Sequence, residues 1–340
     1  MLTNKQAIGS KSLGQHPSHT LDQKILAAAR HGFTGIEVVY SDLADFAQQL
    51  KISIHDAAKA TRDLCAEYRV EIISLAPFEN FEGGSLPLSE RLATAEHWLQ
   101  LARTLQATYL QVPSYYSPDG STDEKVVISD LQQLADLARA EEPVISVAYE
   151  YLSWGVFCST WETALRIVNA VDRPNFGLCL DNFHEHTKLW GSNVDRSGKL
   201  PTGDQDLKAS LKRFSELCPL EKIFYVQLSD AQRFDPPLSG THPWYLQGEA
   251  PQFTWSKHAR PFPMEAELGG YLPILETVKT WVVDKGFKGW VSMEVFDWRM
   301  RSAEHKPEDA ARRARVSWEK IQRGLSGKTI RNEGPIKAHY

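Results

Sequence analysis

The sequence predicts an α/β protein built as a single closed (β/α)₈ barrel. Short apolar runs alternate with segments of helical periodicity, and this alternation recurs eight times along the 340 residues. No linker or change of composition divides the chain, which favours one barrel over an open sheet with an appended domain. Neither a GxGxxG turn after the first strand nor a GxxxxGK[ST] loop occurs, so dinucleotide-binding and P-loop folds gain no support.

The first four pairs of strand and helix are predicted from apolar runs that precede amphipathic segments. The first helix ends at Gly32, a residue type that commonly terminates helices. The second strand reads GIEVVY, which is rich in β-branched residues. The predicted pairs are strand 7–13 with helix 21–31, strand 35–40 with helix 54–68, strand 70–76 with helix 89–105, and strand 109–113 with helix 123–140.

The second half of the chain continues the alternation, and its four strands and helices complete the barrel. The predicted pairs are strand 145–150 with helix 160–171, strand 176–181 with helix 206–218, strand 223–228 with helix 271–285, and strand 289–295 with helix 307–325. Loops 183–204 and 229–270, after strands six and seven, are too long for simple connections, so both should cover a site. We therefore predict a barrel over residues 1–325 and a polar tail over 326–340 with no catalytic role.

Composition excludes several classes of protein. The apolar content of 42% and charged content of 24% describe a globular protein, and no apolar run approaches the about 20 residues that span a bilayer. A net charge of -5 without a basic stripe argues against nucleic-acid binding. The four cysteines form no CxxC pair, and the first residues are polar, which predicts a cytoplasmic protein with buried free thiols.

Polar side chains end the last four predicted strands. Asp181 closes the apolar run GLCLD, Glu150 closes ISVAYE, Gln227 lies in FYVQLSD and Glu294 lies in WVSMEV. The carboxyl ends of all strands meet at one face of this fold, so these side chains should converge there. Three carboxylates at one point need a cation, and an all-oxygen set suits Mg²⁺ or Mn²⁺ better than a thiolate-type zinc site. Each residue alone could be structural, and Asp181 could simply cap a helix.

The chain resembles the xylose-isomerase-like barrel superfamily, and most closely the fungal 3-dehydroshikimate dehydratases of quinate catabolism. The resemblance lies in IGSKSLG, HGFTGIEVVYSDL, LAPFENFEG, LDNFH, VQLSDA, MEVF and ARPFP, and it covers nearly the whole chain. It implies that Glu150, Asp181, Gln227 and Glu294 hold one divalent ion (Mg²⁺, Mn²⁺ or Co²⁺), and that His184 is a catalytic acid/base or a substrate ligand. Where the family has a PGxG-like stretch after FP, this chain reads MEAELGG, which leaves open whether Glu265 or Glu267 enters the site.

The resemblance also implies the reaction, the dehydration of 3-dehydroshikimate to protocatechuate. An ion that chelates the ketone and the adjacent hydroxyl acidifies the hydroxyl-bearing carbon and stabilises an enediolate. His184 is the preferred group for proton transfer, and Glu150 and Glu294 are the alternatives. A purely orienting role for His184, beside Asp181 or Glu150, also fits the chain.

A small carboxylate substrate needs cations and apolar walls. Arg260 and Arg233, on the loop after strand seven, could bind its carboxylate, although either could be a surface residue. Aromatic walls could come from Phe78, Phe81 and Phe296, for which core packing is the competing role. His186 lacks HExxH spacing with His184 and is interpreted as loop structure.

Two other functions remain open at this point. A ketose epimerase or hydroxy-aldehyde isomerase would use the same metal and two Glu residues without needing an Arg for a carboxylate. A non-catalytic ligand-binding barrel would keep the fold and lose the metal ligands. The superfamily's endonuclease branch is excluded, because it requires further His ligands and a basic face.

Overall fold

A computed structural model describes residues 2–327 and contains a closed barrel of eight parallel strands. The eighth strand pairs with both the seventh and the first, with Ala7 opposite Ser292, which closes the sheet. The predicted fold is therefore confirmed. The barrel strands are β1 (Gln6–Gly9), β2 (Gly35–Val39), β3 (Glu71–Ala76), β4 (Tyr109–Pro113), β5 (Ser146–Glu150), β6 (Phe176–Asp181), β7 (Ile223–Leu228) and β8 (Trp290–Met293).

Helices surround the barrel and also occupy its long loops. They are α1 (Leu21–Arg30), α2 (Tyr40–Leu50), α3 (Ile54–Tyr68), α4 (Leu88–Leu105), α5 (Glu124–Arg139), α6 (Trp161–Val171), α7 (Asn182–Leu189), α8 (Gly203–Leu217), α9 (Pro251–His258), α10 (Ile274–Val278) and α11 (Pro307–Leu325). A π-helical turn, Lys279–Asp284, extends α10. Short 3₁₀ helices are Ser10–Leu13, Leu220–Lys222, Ala266–Leu268 and Trp298–Arg301.

Three details differ from the sequence-based prediction. The first strand ends at Gly9, because Ser10–Leu13 turns into a 3₁₀ helix. Helix α2 was missed, although Leu43, Phe46 and Ala47 bury one face of it at helical spacing. Each of the two long loops contains a helix. The loop after β6 contains α7, which Asp181 caps, and the loop after β7 contains α9, which begins at Pro251.

The barrel interior is filled by a layer of side chains from six of the eight strands. This interior layer consists of Ala7, Ile73, Ala148, Cys179, Tyr225 and Trp290. Gly177 at the start of β6 leaves room for a ring of β7, since a Cβ there would lie 2.5 Å from Cε1 of Phe224. The predicted buried free thiols are confirmed for Cys65, Cys158, Cys179 and Cys218. The open end of the barrel is thus its carboxyl end.

The loop after β7 is held rigidly against the barrel. The carboxylate of Asp230 accepts backbone N–H bonds from Ala231, Met264, Tyr271 and Leu272 at 2.8–3.1 Å. Ala259–Arg260 also pairs with Phe296–Asp297 in a short antiparallel ribbon. The loop can therefore hold a side chain in a fixed place above the barrel.

Helix α11 ends at Leu325 as predicted, and residues 328–340 of the predicted tail lie outside the described residues. Within residues 2–327, the helices are too short or too polar to cross a membrane.

Candidate active site

The carboxyl ends of β5 and β6 bring two carboxylates and an imidazole together. His184 Nε2 lies 3.5 Å from Glu150 Oε1 and 3.5 Å from Asp181 Oδ2. One ligand atom of each residue lies within 4.8 Å of the others, and all three side chains are buried. Asp181 also caps α7, because its Oδ1 accepts the Phe183 N–H at 2.8 Å. The capping and ligand interpretations of Asp181 are therefore compatible, since they use different oxygens.

Arg260 lies inside the carboxylate cluster. Its Nη2 donates to Asp181 Oδ2 at 2.7 Å and lies 3.2 Å from Glu294 Oε2. Its guanidinium packs 4.3 Å from the ring centroid of Phe183 and 5.2 Å from that of Phe296. The side chain of Arg260 is only 1% exposed. The residue predicted to bind a substrate carboxylate thus already pairs with two carboxylates of the protein.

The charge of this cluster fits a divalent cation. Glu150, Asp181 and Glu294 supply three carboxylates around the single guanidinium of Arg260. Burial, reinforced by the charge of Asp181, raises the pKa of Glu150 well above its ordinary value. Glu150 Oε1 is buried and has no hydrogen-bond partner within residues 2–327. A bound divalent ion would give this oxygen a partner, and it would also neutralise the surplus negative charge around it.

Gln227 connects the cluster to a buried carboxylate that the sequence reasoning missed. Its Nε2 donates to Glu37 Oε2 at 3.0 Å and to Glu294 Oε1 at 3.1 Å, while its Oε1 accepts from Cys179 Sγ. In this conformation the amide nitrogen faces the carboxylates. Metal ligation by Gln227 stays a prediction, and it requires the amide to turn its oxygen towards the ion.

Glu37 lies on β2 and accepts hydrogen bonds from four side chains of three other strands. The donors are Ser74, Tyr225, Gln227 and Ser292. The sequence carried a signal for this residue, because a lone Glu interrupts the apolar strand GIEVVY. An acidic residue within a buried strand requires such donors.

The tautomer of His184 follows from one backbone hydrogen bond. The Ser153 N–H donates to His184 Nδ1 at 3.1 Å, so Nδ1 must carry the lone pair. Burial lowers the pKa of His184 to about 3, which keeps the ring neutral and places its single proton on Nε2. The Nε2–H group therefore lies 3.5 Å from Glu150 Oε1 and from Asp181 Oδ2, without a hydrogen bond to either. While the Ser153 bond persists, Nε2 has no lone pair for a metal.

His186 and Glu185 serve structural roles on α7. His186 Nδ1 lies 3.0 Å from Asn182 Nδ2, and its Nε2 lies 2.9 Å from Thr277 Oγ1. Glu185 accepts from Tyr151 and Ser210. The interpretation of His186 as loop structure was wrong, because the Asp181 cap starts a helix there.

A cavity of about 910 Å³ opens above the cluster. Glu150, His184, Arg260, Glu294 and the predicted Phe296 line it. The other aromatic lining residues are Tyr40, Trp98, Tyr116, Trp154 and Phe253. Tyr116, Trp154 and Phe253 were missed because they lie in connections whose paths the sequence pattern does not define. Tyr40 and Trp98 lie in predicted elements, and the pattern does not show that their side chains meet a cavity.

Other predicted substrate residues lie elsewhere. Phe78 and Phe81 are buried in the hydrophobic core, so the structure does not bring them to the cavity surface. Arg233 is directed away, and its Nη2 donates to the Arg196 carbonyl oxygen at 2.7 Å. The sequence left undecided whether Glu265 or Glu267 enters the site. Both form salt bridges, Glu265 with Arg313 and Glu267 with Lys320.

Comparison with known proteins gives the family. The model of the xylose isomerase-like TIM barrel family matches residues 25–320. The chain belongs to this family. One relative, from Neurospora crassa, is a 3-dehydroshikimate dehydratase. It is 34% identical over 98% of this chain and 97% of its own length.

Two further matches are longer proteins. A 3-dehydroshikimate dehydratase of Pseudomonas aeruginosa is 32% identical over 84% of this chain, and the match spans 38% of that relative. A solved fusion protein of a xylose isomerase-like TIM barrel with 4-hydroxyphenylpyruvate dioxygenase superposes with a TM-score of 0.73 and 25% identity. It covers 95% of this chain and 43% of that protein. In both cases this chain corresponds to part of the longer protein.

Proposed function

We propose that this chain catalyses the metal-dependent dehydration of 3-dehydroshikimate to protocatechuate. The observation that carries the proposal is the match to the Neurospora crassa dehydratase, which extends over 98% of this chain and 97% of that relative. The buried carboxylates at the open end of the barrel are the chemical feature that such a reaction needs.

Glu150, Asp181, Glu294 and a reoriented Gln227 are proposed to hold the ion. Their oxygen donors suit Mg²⁺, Mn²⁺ or Co²⁺, and the unpartnered Glu150 Oε1 supports ligation there. When bound, the ion supplies Lewis acidity to the substrate's ketone and adjacent hydroxyl. Arg260 then balances the charge that the ion leaves on Asp181 and Glu294.

Proton abstraction is assigned to a carboxylate rather than to His184. The imidazole carries its proton on Nε2 and its Nδ1 lone pair is engaged by Ser153, so neither nitrogen is free to accept a proton. Glu150 and Glu294 both line the cavity and retain acceptor oxygens. His184 acts as a neutral hydrogen-bond donor to the reacting hydroxyl of the substrate. It therefore still has a catalytic role.

The reaction can be balanced with these groups. A carboxylate removes the proton from the hydroxyl-bearing carbon next to the ketone, and the electron pair of that C–H bond forms a new carbon–carbon double bond. The β-hydroxyl leaves with the proton returned by the resulting carboxylic acid, which releases water. Loss of one more ring proton and protonation of the ketone oxygen yield the aromatic product. No external oxidant or reductant is required.

The cavity walls suit a ring that becomes planar. Trp154 and Phe253 pack against each other with centroids 5.1 Å apart, and Phe253 also contacts Tyr116 at 5.3 Å. Flat aromatic surfaces favour a flat product over a puckered carbohydrate. This feature favours the dehydratase over a ketose epimerase or isomerase.

The test is to supply metal-free and metal-reloaded protein with 3-dehydroshikimate and, separately, with ketoses. Ultraviolet absorption of a new aromatic product, present only with metal and abolished in Glu150→Gln, is the expected result. Glu267→Gln is the control, because it removes a surface carboxylate paired with Lys320 and should leave turnover unchanged. Turnover of a ketose without an aromatic product would replace the dehydratase by an isomerase. No turnover of either would favour a binding protein.

A further inference from the structure

Four cationic side chains line the cavity, and they differ in their partners. They are Lys11, Lys257, Arg260 and Arg301. Lys11 pairs with Asp42, Lys257 pairs with Glu249, and Arg260 pairs with Asp181 and Glu294. Arg301 forms no salt bridge with a carboxylate anywhere in the described part of the chain, residues 2–327. It is the cation of this cavity whose charge the protein leaves uncompensated.

Arg301 is nevertheless held in place by neutral acceptors. Its Nε donates to Gln15 Oε1 at 3.3 Å, its Nη1 to His258 Nδ1 at 3.0 Å and its Nη2 to the Lys257 carbonyl oxygen at 2.7 Å. A guanidinium has five N–H donors, so one on each Nη remains available after these three bonds. Two donors held in the plane of one guanidinium can bind the two oxygens of a carboxylate.

Arg260 is poorly suited to binding the carboxylate of a substrate. Its Nε and Nη1 donate to Ser229 Oγ and Ser256 Oγ, and its Nη2 already serves two carboxylates. Two carboxylates already face its positive charge in the absence of substrate. A substrate anion placed there would compete with Asp181 and Glu294 for the same guanidinium.

We propose that Arg301 binds the carboxylate group of the substrate at the mouth of the cavity. This inference rests on the proposed function, in which the substrate is a small hydroxy-keto acid with its ketone at the carboxylate cluster. The carboxylate lies on the opposite side of the ring from the carbon that loses its proton. A second cation on the cavity lining, away from the cluster, is therefore the group that this end of the molecule needs.

The test compares Arg301→Gln and Arg301→Lys with Arg299→Gln. Arg299 lies two residues earlier in the same 3₁₀ turn and pairs with Asp297, which keeps Arg313 as a partner when Arg299 is replaced. Arg301→Gln should raise KM for 3-dehydroshikimate about tenfold to 100-fold, with a smaller effect on kcat. Arg301→Lys should recover part of the loss, and Arg299→Gln should match the unmodified protein.

Binding of two aromatic diols separates carboxylate recognition from the metal and from turnover. Protocatechuate and catechol share the diol, and only protocatechuate has a carboxylate. Quenching of tryptophan fluorescence can follow the binding of both, because Trp98 and Trp154 line the cavity. The unmodified protein should prefer protocatechuate, and Arg301→Gln should remove that preference. Circular dichroism of each variant verifies its fold.

The outcomes distinguish the two proposals. If the unmodified protein converts 3-dehydroshikimate while Arg301→Gln keeps both its KM and its preference for protocatechuate, the assignment of Arg301 is overturned and the proposed function stands. If the unmodified protein has no dehydratase activity yet shows an Arg301-dependent preference, the carboxylate site stands and the proposed function fails. A loss of kcat with unchanged KM would also overturn a binding role.

Discussion

Replacing Arg260 by Gln should destabilise the metal-free protein strongly. The guanidinium is 1% exposed and contacts Asp181, which is fully buried, at 2.7 Å, and Glu294 at 3.2 Å. Removing one partner of a buried ion pair costs about 3–5 kcal/mol, because the remaining charges stay desolvated and uncompensated. The two packing contacts with Phe183 and Phe296 are lost as well, so the cost should lie near the upper end of that range.

A divalent ion should recover part of this loss. Ligand binding to the native state adds about 2.7 kcal/mol of unfolding free energy when the ligand is at 100 times its Kd. The carboxylates released by Arg260→Gln should attract the ion more strongly than those of the unmodified protein. The difference in unfolding free energy between the two proteins should therefore narrow when Mn²⁺ is added.

Urea unfolding with chelator and with Mn²⁺ measures this difference. Arg313→Gln is the matched control, because Arg313 also pairs with two carboxylates, Glu265 and Asp297, which are not in the candidate metal site. It should destabilise the protein equally with and without metal. An Arg260→Gln protein that is as stable as the unmodified one, or whose deficit does not respond to metal, would refute the reasoning.

Three further predictions concern metal, proton transfer and pH. Chelation should abolish turnover, and Mg²⁺, Mn²⁺ or Co²⁺ should restore it; full activity in protein shown by elemental analysis to be metal-free would contradict the site. His184→Ala should lower kcat about 100-fold, whereas His184→Gln, which keeps an N–H donor, should lose less; equal losses would exclude a donor role. Burial raises the pKa of Glu82 from 4.5 to about 7, so the native state binds this proton more tightly than the unfolded chain. That stabilisation is present below the unfolded pKa and lost as pH rises through the folded one. Relative to Glu82→Gln, the unfolding free energy should fall by about 3 kcal/mol between about pH 4 and pH 8. A pH-independent difference in urea unfolding would show that the Glu82 pKa is ordinary.

The barrel could be predicted because each of its units carries a local signal. The eight strands are apolar runs of a few residues, and helices such as α11 have one apolar stripe, so neither depends on distant contacts. The convergence of Glu150, Asp181 and Glu294 followed from the same topology, since parallel strands place their carboxyl ends on one face.

Side-chain partners could not be predicted in the same way. Arg260 reaches Asp181 across 79 positions of sequence, and Gln227 reaches Glu37 across 190. The first pairing depends on the path of the loop after β7, which Asp230 fixes through backbone hydrogen bonds that leave no periodic pattern. The second pairing joins β7 to β2 inside the barrel, and the sequence pattern of neither strand specifies it. Phe78 was misplaced for a related reason, because an aromatic residue near a strand end packs equally well into a core or a cavity.

The most direct test of the central claim is the stoichiometry of product formation by the metal-loaded protein. Mass spectrometry should detect one protocatechuate for each 3-dehydroshikimate consumed, with none formed by chelator-treated protein or by Glu150→Gln. Consumption without protocatechuate, or equal protocatechuate formation after complete removal of the metal, would contradict the assignment of this barrel as a metal-dependent dehydratase.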